Sequence, residues 1–564
     1  MLRHLSLLAA VGTFAVACSP ANGPAEQDSP ADTALQPMVD ADGYVDYRFN
    51  ENYREHLRTL SADEFEGRAP GTKGEELTID YVTSLFEANG IEPLNDDSYL
   101  QPVPLVRIAP TRVTNLAIGH DGSDSEFKYR DEMMVWTPRV VDSVAVENSD
   151  LVFVGYGIVA PEFDWNDYEG LDVEGKTVVM FVNDPGYATQ DDALFTGNAM
   201  TYYGRWTYKF EEAARQGATG AIIIHETGPA GYGWGVIAGG SPVRFDLARD
   251  NRNMDRSEIE GWITAESAEK LFANVDMTLE EAHQQALSSD FEPMSLNAQA
   301  SVTVENEFSY IDTHNIAGYI PGSEHPEEHV IYMAHWDHLG VEPISGDIYN
   351  GAQDNASGTA GVLSMAEEFA KGEAPERSVV FLLVGAEERG LLGSAWYASN
   401  PLLPLEQAVA GINMDVLNVY GPMRDFVVVG WENSDIQDYA APFVDMQNRH
   451  MAPETNPEAG IFYRSDHVSL ANKGVPVLYA KGGNDHFELG ESWGQEQRAI
   501  FNREAYHKPA DEYDPEWDLR GTHQDLWIYF RVGNQLANSR DWPQWAEGNE
   551  FEALRLESEQ QRQQ

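Results

Sequence analysis

The sequence has one cysteine, Cys18, and few basic residues, and each shortage excludes a class of protein. A lone cysteine cannot form a disulfide within the chain, so the fold does not depend on a disulfide framework. The chain has 36 Lys and Arg residues against 93 Asp and Glu residues, which gives a formal net charge of -57. This excess of negative charge disfavours binding to nucleic acid or to an anionic membrane through a basic face, so we expect neither partner.

Long apolar runs are also missing from the body of the chain. No window of eighteen apolar residues follows the N-terminus, so we expect no membrane-spanning helix there. No repeat of fixed period is present either. The 564 residues, 42% hydrophobic and 11% aromatic, are instead enough for at least two folded domains.

The N-terminus reads MLRHLSLLAAVGTFAVACSP, a short basic start, an apolar run and small residues before Cys18. This order is typical of an export signal, which we place at residues 1–17. The position of Cys18 directly after AVA resembles the lipobox of bacterial lipoproteins, so we expect membrane contact only through a lipid on Cys18. Residues 18–40 are rich in Pro, Ala, Asp and Gln and are predicted to be a flexible tether. We expect a periplasmic or outer-membrane lipoprotein, with an ordinary secreted protein as the alternative.

The pattern of the remaining chain changes twice. Residues 41–137 contain helical periodicity, as in YREHLRTL and GEELTIDYVTSLFEANG. Residues 138–300 contain short β runs, DLVFVGYGI, KTVVMFVND and GAIIIHE, with one amphipathic helix, which predicts a small α/β or β-sandwich module. Residues 301–546 alternate apolar strands with helices, which predicts an α/β fold with a mainly parallel sheet covered on both faces. Residues 547–564 are predicted to be a polar tail.

Acidic and histidine side chains follow the predicted strands of the C-terminal half, at the sheet edge where ligands collect. They are His335 after VIYMA, Glu387 and Glu388 after VVFLLVGA, Asp415 after AGINM, Asp354 at the start of the helix in DNASGTAGVL, and His507 in YHKPADEYD. We expect Asp354 to cap that helix as well. Any one of these residues alone is better explained as structural or solvent-exposed, so the joint pattern carries the prediction.

Two imidazoles and three carboxylates suit a pair of zinc ions, because zinc accepts both donor types and a catalytic site leaves a position for water. One carboxylate bridges the ions in such paired sites, and we assign this role to Asp354. The adjacent Glu387 and Glu388 cannot easily bind the same ion, so we take Glu388 as a ligand. Glu387 is then the general base, which carries a proton from the nucleophilic water to the leaving amine. The Asp337 carboxylate is expected to orient the His335 ring through the second ring nitrogen.

Six stretches, HWDHLG, DNASGTAGVL, AEERGLLGS, NMDVLN, YRSDHVSL and YHKPADEYD, resemble in this order the motifs of the co-catalytic zinc aminopeptidase family. Bacterial leucyl aminopeptidases are members, and glutamate carboxypeptidase, glutaminyl cyclase and the transferrin receptor are relatives. The resemblance implies a mixed, mainly parallel sheet between helices, with an inserted β-rich protease-associated domain at residues 138–300. It implies two zinc ions per chain, one held by His335, Asp354 and Asp415 and the other by Asp354, Glu388 and His507.

The same resemblance implies that the Tyr463 hydroxyl donates a hydrogen bond to the tetrahedral oxyanion. It also implies that Asp466 and His467 shape this pocket. Four other histidines have no comparable motif partner, and we assign none of them as a ligand: His338, His450, His486 and His523.

The resulting hypothesis is an exported metallo-aminopeptidase that removes N-terminal residues from peptide substrates. A carboxypeptidase or a glutaminyl cyclase on the same scaffold is an alternative, and a metal-free, receptor-like binding protein is another. A carboxypeptidase needs basic residues for the substrate carboxylate, and only Arg464 and Arg389 lie near the motifs. The complete set of ligands and base argues against the binding protein.

Overall fold

A computed structural model describes residues 38–39, 45–46, 49–191 and 193–562. The predicted export signal, Cys18 and the first part of the tether therefore lie outside the described residues. Within the described ranges, no helix is both long and apolar enough to cross a membrane.

The C-terminal half is built on one mixed sheet that is mainly parallel, which confirms the predicted fold class. His325–His335 lies between Arg377–Val384 and Ala408–Asn413 and is parallel to both. Val477–Gly482 extends the sheet in parallel beyond Ala408–Asn413. Beyond Val477–Gly482 the sheet continues with Asp425–Val428, which is antiparallel to it, and then with His450–Pro453, which is parallel to Asp425–Val428. At the opposite edge, the end of Met294–Ile320 pairs antiparallel with Arg377–Val384.

Helices cover both faces of this sheet, so its inner strands are buried throughout. Every residue of Arg377–Val384 and of Ala408–Asn413 is buried, as their near-continuous apolar sequences predict. Alternate residues of His325–His335 face opposite layers. The layer on one face contains the helices Tyr53–Leu60, Ser357–Lys371 and Arg520–Ala537, and the layer on the other contains Leu392–Ser399 and His467–Ala471.

A second α/β unit, called the inserted unit below, occupies most of residues 138–300, and Met133–Trp136, which precedes the predicted boundary, pairs antiparallel with its strand Ile259–Thr264. Its parallel strands, in spatial order, are Ser143–Phe153, Thr177–Phe181, Gly220–His225 and Ile259–Thr264. The predicted amphipathic helix is Trp206–Arg215, and it packs Phe210 and Ala213 against this sheet. Met294–Ile320 pairs with Ser143–Phe153 near its start and with Arg377–Val384 near its end. This strand therefore spans the predicted boundary at residue 300 and belongs to both units.

The remaining elements extend or flank these two sheets. The other strands are Met38–Val39, Val45–Asp46, Glu92–Pro93, Leu100–Val113, Leu116–His120, Ser123–Phe127, Met133–Trp136, Val159–Ala160, Trp165–Asn166, Arg244–Leu247, Gly340–Val341 and Ile348–Tyr349. The other helices are Lys73–Ala88, Pro185–Thr189, Thr227–Ala230, Trp234–Gly239, Ala265–Phe272, Leu279–Ala286, Ile436–Met446, Glu491–Ile500 and Glu552–Arg562. The last helix lies in the predicted polar tail, and its buried Arg555 donates to the carbonyl oxygens of Ala408 and Val409.

Arg68 holds together the loops that follow the central strand. Its side chain is fully buried, and its guanidinium donates at 2.6 to 2.9 Å to four main-chain carbonyl oxygens, those of Leu60, Trp336, Asn350 and Gly351. Trp336 directly follows His335, and Gly351 precedes Asp354. One cation therefore fixes the main chain directly after His335 and shortly before Asp354.

Replacing Arg68 with Met should lower the midpoint of thermal unfolding, because four buried carbonyl groups would lose their charged donor. The expected loss of unfolding free energy is about 3 kcal/mol or more. The matched control is Arg58→Met, since Arg58 is 54% exposed and pairs with the exposed Glu55, so its change should be close to zero. Calorimetry of both variants tests this, and equal shifts would contradict the role of Arg68.

Candidate metal centre

The five predicted metal-binding side chains meet at the carboxyl edge of the main sheet. His335 ends the central strand, Asp415 follows Ala408–Asn413, and Glu388 follows Arg377–Val384. These strands are neighbours and parallel, so their ends must lie side by side. Two loops bring Asp354 and His507 to the same place.

Asp354 is shared by two clusters of nitrogen and oxygen atoms. In the first cluster, His335 Nε2 lies 3.4 Å from Asp354 Oδ1 and 3.4 Å from Asp415 Oδ1. In the second cluster, His507 Nε2 lies 3.2 Å from Asp354 Oδ2 and 3.2 Å from Glu388 Oε2. The two oxygens of Asp354 thus face different clusters, as a bridging carboxylate requires.

The spacing of these atoms fits zinc. With Zn–N and Zn–O bonds of 2.0 to 2.2 Å, two ligand atoms of a tetrahedral site lie about 3.3 to 3.6 Å apart. The separations of 3.2 to 3.4 Å in the two clusters are close to that range. Asp415 Oδ1 is also enclosed and accepts no hydrogen bond from any residue that the structure describes. A buried carboxylate oxygen without a donor is unfavourable, so the donor set fits a divalent cation.

The concentration of carboxylates raises the pKa of both imidazoles. Burial alone would lower the pKa of His335, but the charge of Glu387 and the contacts with Asp354 and Asp415 raise it well above its usual value. Burial also opposes protonation of His507, yet Glu388 and Asp354 raise its pKa to about 9. The raised pKa values of the two imidazoles therefore reflect an excess of negative charge, which bound cations would balance.

Glu387, the predicted general base, lies beside this cluster and is partly exposed. Burial of the carboxyl group raises the pKa of Glu387 well above its usual value. The charge of His335 opposes this shift, and the charges of Glu388 and Asp466 reinforce it. A carboxylate with a raised pKa is a stronger proton acceptor, which is what a general base requires. The side chain of His507 is 40% exposed, whereas that of His335 is 1% exposed, so the centre opens to solvent on the His507 side.

Asp337 supports the site, but through different atoms from those predicted. His335 Nδ1 lies 3.2 Å from the main-chain oxygen of Asp337 and 3.8 Å from its carboxylate, so the partner of the ring is the carbonyl group. The carboxylate instead accepts hydrogen bonds from the backbone N–H groups of Glu387 at 3.0 Å and Glu388 at 3.4 Å. Asp337 therefore connects the orientation of His335 to the loop that carries the predicted base and ligand.

The prediction that Asp354 caps the following helix is wrong. The helix is Ser357–Lys371, and it is the Asn355 side chain that accepts a hydrogen bond from the Gly358 N–H, at 2.8 Å. The Asp354 peptide turns away from helical geometry, with φ −113° and ψ 93°. Both carboxylate oxygens of Asp354 are therefore directed to the two imidazoles and not to the helix.

Asp511 holds the Asp354 loop in place and was missed in the sequence. Its carboxylate accepts hydrogen bonds from the backbone N–H groups of Gln353 at 2.9 Å and Asp354 at 3.0 Å. Burial raises the pKa of Asp511 to about 6. The residue lies in the motif YHKPADEYD with His507, so one loop supplies a predicted ligand and the support of the predicted bridge. Its place in that motif is the signal that could have identified it.

The predicted oxyanion donor, Tyr463, has another partner in the structure. Its hydroxyl donates to Glu550 Oε1 at 2.6 Å, and its ring lies 6.0 Å from that of Tyr202 in the inserted unit. Asp466 lies near Glu387, and burial raises the pKa of Asp466 to about 7. His467 packs against aromatic rings, and burial lowers its pKa to about 3. The role of Tyr463 at the oxyanion stays a prediction.

His338, which is not among the predicted ligands, lies inside the site. It is fully buried, and its Nδ1 is 2.6 Å from Glu388 Oε1, while His507 faces the other oxygen of that carboxylate. His338, Asp354 and Glu388 offer nitrogen and oxygen atoms that all lie within 4.8 Å of one another. Three histidines that were likewise left unassigned join no such group among the described residues: His450, His486 and His523. The position of His338 in HWDHLG, with His335, was the available signal.

Residues 315–531 match the model of Peptidase family M28, which confirms the resemblance seen in the motifs. Over 274 residues the chain is 32% identical to aminopeptidase NAALADL1 of Rattus norvegicus, covering 39% of this chain and 35% of that protein. Over 200 residues it is 26% identical to aminopeptidase YwaD of Bacillus subtilis, covering 34% and 37%.

The chain therefore spans little more than a third of the length of these curated relatives, and it spans 17% of the NAALADL1 aminopeptidase of Mus musculus, at 34% identity. Among solved structures, the aminopeptidase from Aneurinibacillus sp. strain AM-1 aligns with a TM-score of 0.48 at 20% identity, over 87% of this chain and 95% of that chain.

Replacing His338 with Ala should weaken zinc binding about 10- to 100-fold, because Glu388 would lose the imidazole that holds its second oxygen. Titration of the metal-depleted protein against a zinc-binding dye measures this affinity directly, and circular dichroism checks that the variant is folded. The control is His450→Ala, since His450 is exposed on the strand His450–Pro453. Zinc affinities that are the same in both variants would exclude a supporting role for His338.

Proposed function

We propose that this chain, which matches Peptidase family M28 over residues 315–531, is an aminopeptidase that cleaves the N-terminal residue from peptides with two zinc ions per chain. One observation carries the proposal: Asp354 presents one carboxylate oxygen to each of two imidazole–carboxylate clusters. When bound there, a pair of zinc ions supplies Lewis-acid activation of the scissile carbonyl and of the attacking water.

The residues divide into two ligand sets and one base. His335 and Asp415 would hold one ion with Asp354 Oδ1, and His507 and Glu388 would hold the other with Asp354 Oδ2. Glu387 is adjacent to Glu388 but is not part of either cluster, so it is available for proton transfer. Water adds its oxygen to the carbonyl carbon as Glu387 takes a proton, and the same proton passes to the amide nitrogen as the C–N bond breaks.

Tyr463 is the proposed donor to the oxyanion that forms during this addition. Because its hydroxyl donates to Glu550 in the structure, it must exchange that acceptor for the substrate oxygen. Cleavage at the N-terminus, in preference to the C-terminus, is supported by the names of the curated relatives, which include NAALADL1 and YwaD aminopeptidases. Export and lipid attachment at Cys18 complete the proposal and are supported by the pattern of the first twenty residues.

Replacing Glu387 with Gln should reduce kcat by about 10²- to 10⁴-fold, because the amide cannot accept the proton from water. Zinc content should remain that of the parent protein, since Glu387 belongs to neither ligand cluster. Hydrolysis of an aminoacyl p-nitroanilide and elemental analysis provide the two measurements. Glu373→Gln, at an exposed loop position, is the control. A variant at residue 387 that keeps normal turnover would remove this residue from the proposed mechanism.

Metal content separates the aminopeptidase from the rival functions. Elemental analysis of the purified protein should give about two zinc ions per chain, whereas a cyclase would retain one and a receptor-like binder none. Treatment with 1,10-phenanthroline should abolish hydrolysis, and added zinc should restore it. Full hydrolysis in protein shown to be metal-free would reject the proposed function.

A further inference from the structure

Two arginine side chains, Arg205 and Arg464, lie close enough to repel each other, and neither forms an ion pair with a carboxylate of the described residues. Arg205 Nε and Arg464 Nε and Nη2 are enclosed, yet none of these atoms has a hydrogen-bond partner among the residues that the structure describes. Buried guanidinium groups are normally paired with carboxylates or carbonyl oxygens, as Arg68 is, because an unpaired buried cation is unfavourable. Unpartnered guanidinium nitrogens occur at other described arginines as well, such as Arg244, but Arg205 and Arg464 lie near each other.

The pair is formed where the inserted unit meets the catalytic sheet. Arg205 directly precedes the helix Trp206–Arg215, and Arg464 ends the short helical turn Ile461–Arg464. The Tyr202 and Tyr463 rings, 6.0 Å apart, bring these two segments together. The guanidinium carbon of Arg464 also lies 5.8 Å from the centre of the Tyr232 ring, which belongs to the inserted unit. Both arginines remain partly exposed, so a solute can reach them.

The local charges favour an anion at this place. Burial and then the positive charge of Arg464 lower the pKa of Arg205 to about 10, and the groups that act in the opposite direction are the phenols of Tyr232, Tyr202 and Tyr463. Burial likewise lowers the pKa of Arg464, again opposed by tyrosines. A carboxylate between the two guanidinium groups would remove their repulsion and accept their unused N–H groups, and the planar guanidinium fork suits that geometry.

The pair borders the candidate metal centre on its open side. The ring of Tyr506 stacks on that of His507 with 3.9 Å between the ring centres. Tyr506 also lies near the guanidinium group of Arg464. The side chain of His507 is the most exposed of the five predicted metal ligands, so a peptide that enters from solvent passes this side of the site.

We infer that Arg205 and Arg464 bind a carboxylate of the substrate, so that short peptides with a carboxylate near the cleaved bond are preferred. The substrate's identity as a peptide rests on the proposed function, whereas the binding of a carboxylate does not require hydrolysis. The C-terminal carboxylate of a short peptide and the side chain of Asp or Glu share this chemistry. Binding experiments can separate the two sources.

The first test compares two dipeptide analogues in which the scissile amide is replaced by a CH₂–NH linkage, one ending in a carboxylate and the other in a carboxamide. Calorimetric titration of the metal-loaded protein should show at least about tenfold tighter binding of the carboxylate form, the size expected for a charge-assisted hydrogen bond. A second pair, both amidated at the C-terminus, carries Glu or Gln in the second position and tests the side-chain source. Selectivity in either pair supports the inference and identifies the source.

Substitution then assigns the selectivity to the two arginines. Arg464→Gln and Arg205→Gln should each bring the affinity ratio of the preferred pair close to one, while Arg464→Lys, which keeps the charge, should retain part of it. Arg58→Gln, on the exposed face of Tyr53–Leu60, is the control and should leave the ratio unchanged. If the parent protein binds both members of each analogue pair with equal affinity, the inference is overturned. It is also overturned if neither Arg464→Gln nor Arg205→Gln changes the affinity ratio of the preferred pair.

Hydrolysis of the corresponding natural dipeptides distinguishes this inference from the proposed function. Selective binding of the carboxylate analogue without any hydrolysis would reject the aminopeptidase and retain the carboxylate site. Hydrolysis without selectivity for a carboxylate would reject the Arg205–Arg464 site and retain the aminopeptidase.

Discussion

The site depends on one unfavourable arrangement, the burial of several carboxylates around Asp354. Asp354 and Asp415 both lie 3.4 Å from the same imidazole nitrogen, and Glu388 lies close to the other side of Asp354 across His507. Repulsion and loss of hydration would spread such groups apart in a flexible chain. The fold must therefore hold their main chains rigidly, and divalent cations between them would convert the repulsion into binding energy.

The same solution is used in three of the loops around the site, namely a charged side chain that binds main-chain groups. Arg68 donates to the carbonyl oxygen of Trp336, directly after His335, and to that of Gly351, shortly before Asp354. Asp511 accepts from the Asp354 backbone, and Asp337 accepts from the backbone of the Glu387 loop. Because these contacts use the main chain, the side chains of the predicted ligands remain directed at each other. Charge-assisted hydrogen bonds of this kind are also the strongest available for such a purpose.

The predicted ligands at strand ends were accessible from the sequence because two regular features determine them. Apolar runs show where strands end, and parallel pairing brings those ends to one edge, which places His335, Asp415 and Glu388 together. Loop geometry has no such regularity. The predictions from sequence therefore assigned the helix cap to Asp354 in place of Asn355 and did not include the contact of His338 with Glu388. They also placed the contact of Asp337 with His335 at the carboxylate, whereas it is made by the main-chain oxygen. The change of pattern near residue 300 likewise could not show that Met294–Ile320 is one strand shared by two sheets.

Contacts between residues far apart in sequence connect the inserted unit and the C-terminal tail to the proposed catalytic residues. Glu550, in the tail, accepts a hydrogen bond from the Tyr463 hydroxyl at 2.6 Å and another from the backbone N–H of Tyr202 at 3.2 Å. A single carboxylate thus joins the proposed oxyanion donor to the inserted unit, next to the segment that carries Arg205. Any motion that frees Tyr463 for a substrate must change this junction, so the packing of the inserted unit and the tail would constrain the proposed oxyanion donor. The metal-binding side is held separately, by Arg68, Asp337 and Asp511, and need not move.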